Sequence, residues 1–156
     1  MLPVRLCVAF CALGLTAAMR YDPPDACTIV TLADVRAALG AEWTASPTSL
    51  NAHLPELSSC SYQKGMGNLV AFSIQSAKGG NAKDAVSKLQ ASVSVKHKVV
   101  ALPDLCEGGF SEVNTKKITT VYAAKGKWQL EIEVLRDDKP DVDAGKVLVA
   151  GACKRL

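Results

Sequence analysis

Residues 118–135 read ITTVYAAKGKWQLEIEVL, and they contain the clearest β-hairpin pattern in the chain. Across residues 128–135 apolar side chains alternate with polar ones, which is the pattern of a strand that buries one face. The segment Ala124-Lys-Gly-Lys127 before this run predicts a hairpin turn. The polar residues that would share the opposite face of the second strand are Gln129, Glu131 and Glu133. The stretch therefore predicts two antiparallel strands with one apolar and one polar face.

The same kind of pattern predicts four more strands elsewhere in the chain. They lie at residues 60–64, 68–77, 98–102 and 110–114. Residues 44–59 are rich in Ser, Thr, Pro and Asn, and this composition predicts a loop.

Three segments have the spacing of amphipathic helices. The first begins with the capping-box-like Thr31-Leu-Ala-Asp34 and ends at Gly40. The second is capped by Asn81 and runs to about Val93, and the third covers residues 142–152. The order of elements predicts a single α+β domain, an antiparallel β-sheet with two or three helices packed on one face.

The N-terminus has the composition of an export signal. A single charge at Arg5 precedes the apolar run Leu6–Leu15, and the small residues Thr16-Ala17-Ala18 follow it. The run is too short to cross a bilayer as a helix, which takes roughly 20 residues. The sequence predicts a signal peptide at residues 1–18 and a periplasmic or secreted domain at 19–156, with an uncleaved anchor as the alternative.

The charge of the predicted mature domain is nearly balanced. Removing Arg5 from the 18 basic residues leaves 17 against 15 acids. Lysines recur at six positions, most of them at strand ends or turns and without interleaved aromatic residues to stack on bases: Lys96, Lys98, Lys116, Lys117, Lys125 and Lys127. We therefore expect no nucleic-acid partner, and membrane contact only through an uncleaved signal.

Two cysteine-containing segments resemble a known group of proteins. Cys27-Thr-Ile-Val-Thr-Leu-Ala-Asp-Val-Arg-Ala-Ala-Leu39-Gly40 is similar to the opening of secreted bacterial domains of unknown function, which begin Asp-Pro-Cys and continue into a short helix ending Ala-Leu-Gly. Ser59-Cys60-Ser61-Tyr62 is similar to the Cys-x-Tyr that starts their first strand. The resemblance implies a disulfide between these two cysteines, an α+β sheet domain and frequently a lipoprotein anchor.

The four cysteines of the predicted mature chain allow three disulfide pairings. We favour Cys27–Cys60, which would tie the first helix to the first strand, and Cys106–Cys153, which would hold the last helix. No two of them have the spacing of a Cys-x-x-Cys metal or redox site, and no histidine lies beside one. We expect structural disulfides, no metal and no cofactor.

No catalytic motif is present in the chain. The two histidines, His53 and His97, stand apart from any recognisable Ser or Cys nucleophile motif. The acidic segment 137–145 has the wrong spacing for a calcium loop and suits a helix N-terminus.

These observations favour a non-catalytic binding domain for a small ligand or a peptide. The expected surface is the polar sheet face, with Gln129, Glu131 and Glu133 beside Thr119 of the neighbouring strand and the loop 44–59 as the other wall. One alternative is an envelope protein-protein interaction or inhibitor domain, which a large exposed apolar patch around Trp43 or the loop would favour. The other is a hydrolase with an unrecognised site.

Overall fold

The computed structural model describes residues 22–46, 53–114, 116–137 and 139–156. The predicted signal peptide and residues 47–52 of the predicted loop lie outside these ranges. The helices are α1 (Ala26–Ile29), α2 (Leu32–Leu39), α3 (Ala82–Val93) and α4 (Val142–Cys153). The strands are β1 (Thr44–Ala45), β2 (His53–Leu54), β3 (Leu57–Lys64), β4 (Asn68–Ser76), β5 (Val99–Leu102), β6 (Gly109–Val113), β7 (Thr119–Lys125) and β8 (Trp128–Leu135).

All eight strands belong to one antiparallel sheet with the order β1-β3-β4-β8-β7-β6-β5, and β2 also pairs with β3. The predicted hairpin is confirmed: β7 and β8 pair from Lys125 with Trp128 to Thr119 with Val134. Gly126 in the connecting turn has φ 56°, a left-handed conformation that glycine adopts without steric cost.

Helices α1, α2 and α4 cover one face of the sheet and enclose the main core. In β8 the members of this core are Leu130, Ile132 and Val134, each at most 1% exposed. Helix α4 approaches the sheet closely at Gly145, where a Cβ atom would lie 2.7 Å from Cγ2 of Val121. The α+β class, and three helices on one face, agree with the sequence prediction.

Helix α3 packs on the opposite face, so the prediction of helices on one face only is incomplete. Val86 of α3 forms a second buried cluster with Phe110, Ala124 and partly buried Tyr122 of strands β6 and β7. The apolar spacing within α3 shows that the helix is amphipathic, but it does not indicate which face of the sheet receives it.

The boundaries of most elements agree with the sequence within one or two residues. The capping box of α2 is present, because Thr31 accepts from the backbone N–H of Asp34 while the Asp34 carboxylate accepts from that of Thr31. The prediction of a continuous loop at residues 44–59 was wrong in part. Strands β1 and β2 lie within it, and β3 begins at Leu57, before Cys60.

Two disulfides join distant elements of the chain. Cys27 of α1 bonds to Cys60 of β3, and Cys106 in the β5–β6 connection bonds to Cys153 at the end of α4. The favoured pairing is therefore confirmed. Disulfides of this kind persist in oxidising compartments, which indicates a location outside the cytoplasm. Within the described residues, no helix has both the length and the apolar character needed to cross a membrane.

Candidate functional site

Strand β8 places three of the four predicted site residues on one face. Gln129, Glu131 and Glu133 alternate with the buried core residues of the same strand. The prediction that these three side chains share a sheet face is thus correct in geometry.

Thr119, the fourth predicted residue, lies on the other face. It pairs with Val134, and directly paired residues of antiparallel strands share a face. Thr119 is fully buried, and its hydroxyl accepts a 3.0 Å hydrogen bond from the backbone N–H of Asp141. It therefore supports the start of α4, and Thr120, which pairs with Glu133, occupies the place expected for it.

The polar sheet face forms one wall of a groove, and α3 forms the other wall. The larger part of the groove has a volume of about 590 Å³ and includes Gln75 and Gln129 on the sheet and Ala85 on α3. A smaller recess of about 200 Å³ continues from the same two glutamines toward Glu131. From the loop expected at residues 44–59, Glu56 and Leu57 line the groove, while residues 47–52 lie outside the described structure.

Two glutamine amides lie side by side where the two parts of the groove meet. Nε2 of Gln75 on β4 donates a 2.9 Å hydrogen bond to Oε1 of Gln129 on β8. This pair leaves one amide oxygen, on Gln75, and N–H groups of both amides for a ligand. The wall of the groove that the sheet forms therefore presents both hydrogen-bond donors and hydrogen-bond acceptors.

Glu131 is the half-buried acid of the smaller recess. Burial raises the pKa of its carboxyl from 4.5 to about 7, with further contributions from the nearby carboxylates of Glu133 and Glu112. At neutral pH this carboxyl is divided between its protonated and ionised forms. It is able to donate or accept a hydrogen bond, and a cation beside it would favour the ionised form.

Tyr122 lies next to Glu131 on the neighbouring strand and lines the recess. Its ring stacks on Phe110 with 4.6 Å between ring centroids, and its hydroxyl donates to Oε1 of Glu112 at 3.3 Å. Burial raises the pKa of Tyr122 well above its ordinary value, so the phenol remains protonated. Nδ1 of His97 is 3.7 Å from the other Glu112 oxygen, which is too long for a hydrogen bond.

Charges of both signs surround the open part of the groove. Lys78 and Lys88 lie on its rim together with Glu56 and Asp84. The mixture of charges gives no strong net field over this part of the groove.

The contributions of β4 and α3 to this site were not predicted from the sequence. Ser73 and Gln75 alternate with buried residues of β4, so the strand pattern places them on the polar face once the pairing of β4 with β8 is known. Val86 and Leu89, which line the recess, lie on the apolar side of α3. A sequence pattern would assign such residues to the core.

Asp141 and His53, which the sequence analysis considered for metal binding and catalysis, lie in other parts of the fold. Asp141 caps α4, since its carboxylate accepts from the backbone N–H of Ala144 at 3.0 Å, and it also pairs with Arg136. His53 lies in β2. Within the described part of the chain, no three His, Cys, Asp or Glu residues are arranged to hold a metal ion.

The fold and the groove define a disulfide-stabilised α+β domain with a polar cleft on one sheet face. No family model, no curated protein and no solved structure matches the chain.

Proposed function

We propose that the protein is an extracytoplasmic, non-catalytic binding domain, either periplasmic or secreted. Its ligand is a small polar molecule or a side chain of a peptide, held in the groove between the sheet and α3. The observation behind this proposal is the convergence of Gln75, Gln129 and Glu131 on one continuous cleft. The two disulfides support the compartment.

The chemistry of the cleft favours a ligand that carries an amine or a guanidinium group. Glu131 pays a desolvation cost when it ionises, and a cation placed against it offsets that cost. The amides of Gln75 and Gln129 orient the polar groups of the same ligand. Val86 and Leu89 provide an apolar wall for an aliphatic stem.

A protein-protein interaction role has less support. An exposed apolar patch around Trp43 or the loop 44–59 would favour it, and the Trp43 side chain is only 1% exposed. Trp43 belongs to the main core and is not part of a surface patch.

The proposal is tested by NMR titration with butylammonium, and with butanol as the uncharged control of similar length. We expect butylammonium to shift the side-chain amide signals of Gln75 and Gln129 in a saturable way. Glu131→Gln removes a charge-assisted hydrogen bond of roughly 1.5 to 3 kcal/mol, so it should weaken binding about tenfold or more.

Glu133→Gln is the matched control, because Glu133 shares the strand and the face but lines neither part of the groove. We expect it to change the affinity by less than a factor of about three, through the lost long-range charge alone. Shifts that appear only outside the groove, or equal affinity for Glu131→Gln and the unmodified protein, would refute the proposal.

A further inference from the structure

Four lysines converge at one end of the sheet, which we call the basic end. They are Lys96, Lys98, Lys116 and Lys117. The start of β5, the end of β6 and the start of β7 meet there, because Val99 pairs with Glu112 and Val113 pairs with Thr119. Two turns that are far apart in the sequence thus present their lysines side by side.

The charges of the basic end are unneutralised. All four lysines are exposed, and within the described ranges none of them forms an ion pair with a carboxylate. At the opposite end of the sheet the situation differs, since Lys125 pairs with Glu107. Asp137 and Asp141 lie at the same end of the sheet as the four lysines, but the ion pairs that they form are with Arg136.

Hydrogen bonds to the Asn114 side chain hold the backbone of the turn between β6 and β7. The Asn114 side chain accepts hydrogen bonds from the backbone N–H groups of Lys116 at 2.8 Å and Ile118 at 3.1 Å. Lys117 has φ 61°, a left-handed conformation in which glycine or asparagine is usual. A lysine at this position has a conformational cost that glycine would avoid.

Exposed apolar side chains lie at the same end of the sheet as these lysines. Val95 is 81% exposed in the turn that carries Lys96, and Val113 is 36% exposed at the end of β6. Met66, in the β3–β4 turn at the same end of the sheet, is fully exposed. The turns at residues 94–98 and 114–118 contain no Phe, Tyr or Trp that would stack on nucleic-acid bases.

We propose that the basic end docks on an anionic phospholipid bilayer, a membrane contact that the sequence analysis did not expect. Lysines attract acidic headgroups, and exposed aliphatic side chains enter the interface between headgroups and acyl chains. A soluble polyanion would satisfy the lysines but would leave Val95 and Met66 in water. The groove is on a face of the sheet and not at this end, so the inference does not depend on the proposed ligand.

Co-sedimentation with vesicles tests the proposal, using phosphatidylglycerol mixed with phosphatidylcholine and pure phosphatidylcholine as the neutral reference. We expect binding to the anionic vesicles only, and weaker binding as salt is added. The variant with Lys96→Gln, Lys98→Gln, Lys116→Gln and Lys117→Gln should lower the partition coefficient by roughly 600-fold, because each of the four lysines contributes about a factor of five near an anionic surface.

A second variant removes the same number of charges away from the basic end. It carries Lys83→Gln, Lys125→Gln, Lys127→Gln and Lys154→Gln, and we expect it to retain most of the binding. Equal losses in the two variants would show that only net charge matters and would overturn the proposal. Absence of binding to the anionic vesicles would overturn it as well.

Val95→Asn distinguishes a bilayer from a soluble polyanion. It leaves the charge unchanged and should weaken vesicle binding severalfold, since an aliphatic side chain no longer enters the interface. Tighter binding to polyphosphate than to vesicles, together with no effect of Val95→Asn, would assign the basic end to a polymer and refute the bilayer proposal.

Discussion

Replacing Glu131 by glutamine is expected to remove a pH dependence from the stability of the protein. The Glu131 carboxyl has a pKa of about 7 in the folded protein and of 4.5 as an isolated group. Between these two values the folded protein therefore binds more protons than the unfolded chain. The free energy of unfolding therefore falls as the pH rises through this window. Below and above the window, the contribution of Glu131 to the free energy of unfolding is nearly constant.

The size of the effect follows from the difference in pKa. One pKa unit corresponds to about 1.4 kcal/mol, so the raised pKa of Glu131 corresponds to about 3 kcal/mol between the two ends of the window. Glutamine has nearly the same shape and no charge to desolvate. Glu131→Gln should therefore match the unmodified protein near pH 4.5 and exceed it by about 3 kcal/mol near pH 8.

Other shifted groups titrate outside this window. The pKa of Asp34 is held far below its usual range by the Arg155 guanidinium, so its contribution to stability is lost only at acidic pH. The pKa of Tyr62 is raised to about 12 by burial, so it titrates in strong alkali. Among the groups whose pKa is shifted, Glu131 therefore controls the pH dependence of stability between weakly acidic and neutral pH.

Urea denaturation at a series of pH values, followed by tryptophan fluorescence, measures the effect. Glu133→Gln serves as the control, because it removes one carboxylate that raises the pKa of Glu131 but leaves the buried acid in place. We expect this control to keep most of the pH dependence. A flat stability profile for the unmodified protein, or the same slope for it and Glu131→Gln, would refute the reasoning.

Two further predictions concern helix α4. Gly145→Ala should destabilise the protein by roughly 1 to 3 kcal/mol because the new Cβ would lie 2.7 Å from Val121. Gly151→Ala on the same helix has no atom within 4 Å and should stabilise it by up to about 1 kcal/mol; equal melting temperatures for the two variants would contradict this. Replacing Cys106 and Cys153 by alanine opens a loop of 47 residues, and should cost about 4 kcal/mol on the chain-entropy model; a loss below about 1 kcal/mol in urea denaturation would contradict it.

Much of the architecture was predictable because the deciding signals are local. Alternation along residues 128–135 assigned the buried and polar faces of β8, and the Thr31 capping box fixed the start of α2. Predicting that Thr119 lies on the buried face of the sheet requires one further step. A two-residue turn at Gly126-Lys127 pairs Lys125 with Trp128, and counting back from that pair brings Thr119 opposite Val134 on the buried face.

The groove itself was not predictable from local patterns, because it depends on where α3 packs. An amphipathic helix needs an apolar surface, and the residues that form this surface come from two strands that follow α3 in the chain. Phe110 and Tyr122 stack on each other beneath the helix, and Ala124 is buried with them. Their shared face becomes known only from the register of β6 with β7.

That register also explains why a polar cleft exists beside the helix. The sheet face opposite α4 is apolar on β6 and β7, around Phe110 and Tyr122, and polar on β4 and β8, around Gln75 and Gln129. Helix α3 covers the apolar half because burial of apolar surface drives packing. Its edge leaves the polar half open, and Glu131, which pairs with Tyr122, lies at the boundary between the two halves. The half-burial that raises the pKa of Glu131 and the cleft in which we place the ligand therefore have one cause, the division of a single sheet face into apolar and polar halves.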